Sequence, residues 1–134
     1  LRLKPVLISA IAILGAFGLA AELWQALAPS PTSETFVGLF SLSEEGNIPT
    51  WYASSLLFLC GVTLAVISAE ASWSKAPYRW HWWGLALIFF YISVDEAVGF
   101  HENLTGLFET GGLFYFDWVI PVGIALFLFA LAYL

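Results

Sequence analysis

Four long apolar runs, each bounded by polar or turn-forming residues, organise the chain. The first covers about 6–28 and is closed by Pro29-Ser30-Pro31. The second covers about 50–71, with Pro49 in its first helical turn, where the missing N–H leaves no bond unmade. The third, about 82–102, stays apolar to Val94 and then carries Asp95, Glu96, His101 and Glu102. The fourth, about 118–134, has Asp117 as its expected N-cap and Pro121 in its first turn. A hydrocarbon core about 30 Å thick takes roughly 20 helical residues to cross. The pattern therefore predicts an all-α integral membrane bundle of four transmembrane helices, one domain over 1–134. Between the runs, 29–49 reads as a polar, turn-rich loop, 72–82 as a short basic and aromatic connector, and 103–117 as a Gly-rich, aromatic loop.

Orientation follows from the basic residues. Arg2 and Lys4 precede the first run, Lys75 and Arg79 lie between the second and third, and there are no others. An even number of crossings separates the two pairs, so the positive-inside rule puts the N-terminus and the 72–82 connector in the cytoplasm. The 29–49 and 103–117 loops then face outward. Tryptophan favours the membrane–water boundary, and all seven fall at expected span ends: Trp24, Trp51 and Trp118 outside, Trp73, Trp80, Trp82 and Trp83 inside. The first run is too long for the apolar core of a signal peptide. A chain without methionine that stops at Leu134, late in an apolar run, leads to the expectation of a longer natural protein.

Composition narrows the function classes. The chain is 60 % apolar and 10 % charged, with mean hydropathy +0.86, whereas a soluble domain carries about 25 % charged residues. Four basic residues against ten acidic ones exclude nucleic acid as a partner, since they cannot neutralise a phosphate backbone. Cys60 is alone, so no internal disulfide forms. Small residues at Ala12, Ala16 and Ala20, with Gly15 and Gly18 beside them, predict close helix packing on the first span. Ser54, Gly61, Ala65 and Ala69 do the same for the second.

The acidic residues carry the candidate chemistry. Glu22, Glu44, Glu45, Asp95, Glu96 and Glu102 all map to the outer leaflet or outer side of the expected topology. Asp95 lies about 20 Å along a helix begun at Trp82, and an ionised carboxylate at such depth costs on the order of 2.5–3.5 kcal/mol. It must be protonated, paired, metal-bound or wet, and no Lys or Arg exists on that side. Continued helix would put Asp95 and Glu102 on one face, two turns or roughly 10 Å apart, so one metal needs further ligands. Glu22 and the Glu44-Glu45 pair are the best placed. His81 and His101 stand about 30 Å apart on the third run, too far to ligate one haem, and no hydrolase triad has a credible base.

The stretch Glu45-Gly46-Asn47-Ile48-Pro49-Thr50-Trp51-Tyr52-Ala53-Ser54, followed by Ser93-Val94-Asp95-Glu96 and His101-Glu102, resembles an uncharacterised family of bacterial multi-span membrane proteins. Members carry G-N-x-P-T-W before one span and S-x-D-E…H-E in the next, with an aromatic segment like Tyr115 to Pro121 before the following span. The resemblance covers about 40–121. It implies a longer fold of the same topology, in a bacterial inner membrane, and a site at these motifs. It implies no reaction.

Two functions are therefore expected. In the first, Asp95, Glu96, His101, Glu102, Glu44, Glu45 and Glu22 form a carboxylate–histidine cluster near the outer face that binds a divalent metal ion or handles protons. In the second, the chain is a non-catalytic accessory subunit of a respiratory, transport or photosynthetic complex, whose partner supplies the missing cation. The partners expected are the lipid bilayer and other membrane subunits or further copies of the chain. A membrane enzyme acting on a lipid or an isoprenoid is the weaker third reading, since no nucleophile or phosphate-binding motif accompanies the acids.

Overall fold

The structure is a computed structural model that describes residues 3–100 and 119–132. Those residues form five α-helices and no strand: α1 (Leu3–Leu27), α2 (Pro31–Phe40), α3 (Ile48–Trp73), α4 (Arg79–Val98) and α5 (Val119–Ala132). Two compact units, Leu1–Leu56 and Leu57–Leu134, divide the chain within α3.

The all-helical expectation holds, and two of the helices, α1 with 25 residues and α3 with 26, are long and apolar enough to cross a membrane. Four such helices are not seen among the described residues. α4 has 20 residues, but Arg79, His81 and three tryptophans crowd its start and Asp95-Glu96 its last turn, which dilutes its apolar centre. The 14 described residues of α5 reach about 21 Å, short of a hydrocarbon core.

In the N-terminal unit the expected 29–49 loop holds a helix. Ser30 caps α2: its hydroxyl accepts the Ser33 N–H at 3.1 Å, while the Ser33 hydroxyl accepts the Ser30 N–H at 2.8 Å. Pro31 occupies the first turn, where its fixed φ suits a helix start. Ten residues make a marginal helix in isolation, and α1 supplies the packing. Phe36 lies 5.4 Å from Trp24 and Phe40 stacks at 5.2 Å on Phe17, so α2 runs antiparallel along the C-terminal half of α1. The chain continues in that direction, with Leu42 against Gly18 and the Tyr52 hydroxyl donating to the Leu7 carbonyl at 3.4 Å.

The face of α1 that meets α2 differs from the expected alanine stripe. Gly18 and Ala21 are its buried residues, whereas Ala12, Ala16 and Ala20 are exposed. Gly18 is required because a Cβ there would stand 2.8 Å from the Phe40 carbonyl oxygen.

In the C-terminal unit, α3 ends in a Schellman turn. The Ala76 N–H donates to the Ala71 carbonyl at 2.8 Å and the Lys75 N–H to Ser72 at 3.2 Å, with Lys75 in the left-handed conformation at φ 52°. Gly61 packs under the Phe90 ring, beside which Phe58 lies at 5.4 Å. The Trp83 indole N–H donates to the Ser72 hydroxyl at 3.2 Å. α4 stops at Val98 because Gly99 turns left-handed (φ 67°) and its N–H bonds the Asp95 carbonyl at 2.7 Å. The helix α4 therefore closes at Val98, within the run expected to reach about 102. Glu102, expected on one face with Asp95, lies outside the described residues.

Candidate functional site

Gly18, Ala21, Glu22 and Gln25 recur at helical spacing, which places them on one face of α1. The two small residues let α2 approach, and the two polar ones then meet serines at its opposite ends. Ser41, fully buried and the C-cap of α2, donates its hydroxyl to Glu22 Oε1 at 2.5 Å. Ser33, also fully buried, donates to Gln25 Oε1. Glu22 is half-buried and lies five residues before the end of α1, about 8 Å along the axis.

The segment after α2 is irregular, and its own side chains satisfy it. The Ser41 hydroxyl accepts the Ser43 N–H at 3.0 Å. Asn47, buried, donates through Nδ2 to the carbonyls of Ser41 (2.7 Å) and Glu44 (2.9 Å). Its Oδ1 accepts the Thr50 N–H at 3.1 Å and the Thr50 hydroxyl at 3.0 Å, which caps the first turn of α3. Gly46 precedes it at φ 72°, a conformation that glycine adopts without strain. The Gly46-Asn47-Ile48-Pro49-Thr50 motif is therefore a turn, a buried hydrogen-bonding hub and a helix start in succession. It holds Ser41 where its hydroxyl reaches Glu22.

The expected site residues belong to both units. Glu22 is held by Ser41, while Glu44 and Glu45, in the same unit, are exposed. Asp95 and Glu96 are half-buried in the last turn of α4, in the other unit. His101 and Glu102 lie outside the described residues. Among the described residues no group of three His, Cys, Asp or Glu side chains is arranged to hold a metal ion. Between Lys4 and Lys75 the chain has no Lys, Arg or His, and the group that bonds Glu22 is the Ser41 hydroxyl.

Sequence reasoning found Glu22 as an acid inside an apolar run and placed Asn47 and Thr50 in a motif without a role for either, and it missed Ser41, Ser33 and Gln25. Asn-x-Pro-Thr ahead of an apolar run is a legible N-cap signal. The pairing of Ser41 with Glu22, 19 residues apart, had none.

A family model described as a domain of unknown function (DUF8692) matches residues 6–134. No curated protein and no solved structure matches the chain.

Proposed function

The chain belongs to the DUF8692 family, whose description assigns no activity, and we infer from its own side chains that it is a membrane-embedded domain that takes up and releases a proton at Glu22. The observation that carries this reading is the bond from buried Ser41 to Glu22 on a helix apolar enough to cross a membrane. Intramembrane carboxylates are costly and are commonly found on ion or proton paths. A hydroxyl partner orients a carboxylate while leaving lone pairs for a proton, whereas a Lys or Arg would fix its charge.

Irregular backbone is tolerated at membrane depth only where protein buries it or water lines it. Ser41 and Asn47 are buried while 42–46 are exposed, so on this reading water lines the segment, which with α2 forms a re-entrant element beside α1. On this reading α1, which carries Glu22, crosses the membrane. Arg2, Lys4, Lys75 and Arg79 are then cytoplasmic, and Glu22 sits toward the outer side. A divalent metal held by Asp95, Glu96, His101, Glu102, Glu44 and Glu45 draws no support from the described side chains.

The test is proton entry into proteoliposomes that enclose a pH-sensitive dye. Glu22→Gln is expected to remove the flux, and Ser41→Ala, which loses one hydrogen bond, to slow it up to about tenfold. Flux that persists in Glu22→Gln, or natural chain that passes no protons, overturns the assignment.

A further inference from the structure

We propose that the turn between α3 and α4 is a binding surface for the phosphate headgroup of an anionic phospholipid. The inference rests on the membrane-embedded reading and concerns the C-terminal unit.

Tyr78, His81, Trp82 and Leu85 line a half-open groove of about 360 Å³ on one face of the first turns of α4. Basic residues flank it in the sequence. Lys75 and Arg79 are two of only four basic residues, and between Glu70 and Asp95 there is no acidic one. The molecule as a whole carries −6, so it repels an anionic surface except where a local positive patch acts within a Debye length of about 8 Å. Arg79 is held in place, its guanidinium 5.9 Å from the Trp80 ring centroid.

The backbone is committed to this arrangement. Lys75 and Tyr78 both hold left-handed conformations, φ 52° and 63°, which glycine would adopt without strain. The connector thus keeps a long cationic and a long aromatic side chain at two positions where local geometry favours neither.

The aromatic residues select lipid over a dissolved anion. Trp73 is 89 % exposed, Trp80 72 % and Tyr78 70 %. Such rings belong at the headgroup level, with their apolar bodies toward the acyl chains. In water they would add nothing to the capture of a free phosphate. In a bilayer they seat the turn at the depth where a lipid phosphodiester meets Lys75 and Arg79.

The experiment reconstitutes the full chain into vesicles that contain brominated phosphatidylglycerol or brominated phosphatidylcholine at equal mole fraction, and reads tryptophan quenching. Four of the seven tryptophans, Trp73, Trp80, Trp82 and Trp83, lie at this turn. The natural chain should favour the anionic lipid by about fivefold for each basic residue engaged. The preference should collapse in the Lys75→Gln, Arg79→Gln double variant. It should also fall in the natural chain as NaCl approaches 1 M, a readout independent of whether the variant folds. Equal quenching by the two lipids in the natural chain, or a preference that survives both the charge removal and the salt, overturns the proposal alone. Absence of quenching by either lipid overturns the membrane reading as well.

Discussion

Two glycines on α1, three residues apart, meet opposite surroundings. A Cβ on Gly18 would lie 2.7 Å from Leu42 Cγ and 2.8 Å from the Phe40 carbonyl oxygen, whereas one on Gly15 meets nothing within 4 Å. A backbone oxygen cannot swing aside as a side chain can, so Gly18→Ala must push α2 and its following turn away from α1. The expected cost is about 1–3 kcal/mol. Gly15→Ala should instead gain up to about 1 kcal/mol from helix propensity. Unfolding of both variants in one detergent checks the contrast, and equal stabilities would mean that α2 does not pack on Gly18. Asn47 offers a second comparison. Asn47→Ala removes two donors and the cap acceptor at a buried position, with an expected cost of about 2–3 kcal/mol. Asn47→Asp keeps the acceptor for Thr50 but sets a carboxylate oxygen against the Ser41 and Glu44 carbonyls, so its unfolding midpoint should fall at least as far as that of Asn47→Ala.

At the scale of elements, α2 is the most conditional piece. Its start depends on the reciprocal bonds of Ser30 and Ser33, and Ser30→Ala should cost about 1 kcal/mol. The loss should appear as faster amide exchange across 31–40, with α1 unaffected; uniform exchange in both helices would show that α2 is not a separately capped element. This dependence on caps and a partner explains why α2 was illegible in the sequence. Pro29-Ser30-Pro31-Thr32-Ser33 has the composition of a turn, and the aromatic residues that make it a helix find their partners, Phe17 and Trp24, on another element. α1 and α3 were legible because a long apolar run signals a helix without help from tertiary contacts. The end of α4 was missed because Gly99 stands among residues that would otherwise continue the helix, and its left-handed turn is a three-dimensional choice. The candidate site divides in the same way. Glu22 stood out as a lone acid in an apolar run, while the hydroxyl that meets it arrives through α2 and the Asn47 turn.

For the whole molecule, the decisive question is what solvent surrounds it. Large apolar side chains lie exposed along α1 and α3, among them Val6, Ile8, Ile11, Ile13, Leu19 and Leu23 on the first, and Phe58, Leu59, Val66 and Ile67 on the second. Soluble monomers rarely expose contiguous apolar patches beyond a few hundred Å², and here the apolar surface runs the length of both helices. Cys60 turns this into a measurement without an engineered probe. It is the only cysteine, it is exposed on α3, and it lies 12 residues beyond Ile48, about 18 Å along the helix. Maleimides react with the thiolate in contact with water. If α3 crosses a bilayer, a water-soluble maleimide should modify Cys60 in proteoliposomes at least tenfold more slowly than in the denatured chain. Making the vesicles permeable should bring no acceleration, because the barrier is then the hydrocarbon around the thiol and not the sidedness of the membrane. Labelling at the denatured rate in intact proteoliposomes would mean that water reaches the middle of α3, and the membrane assignment of that helix would fall.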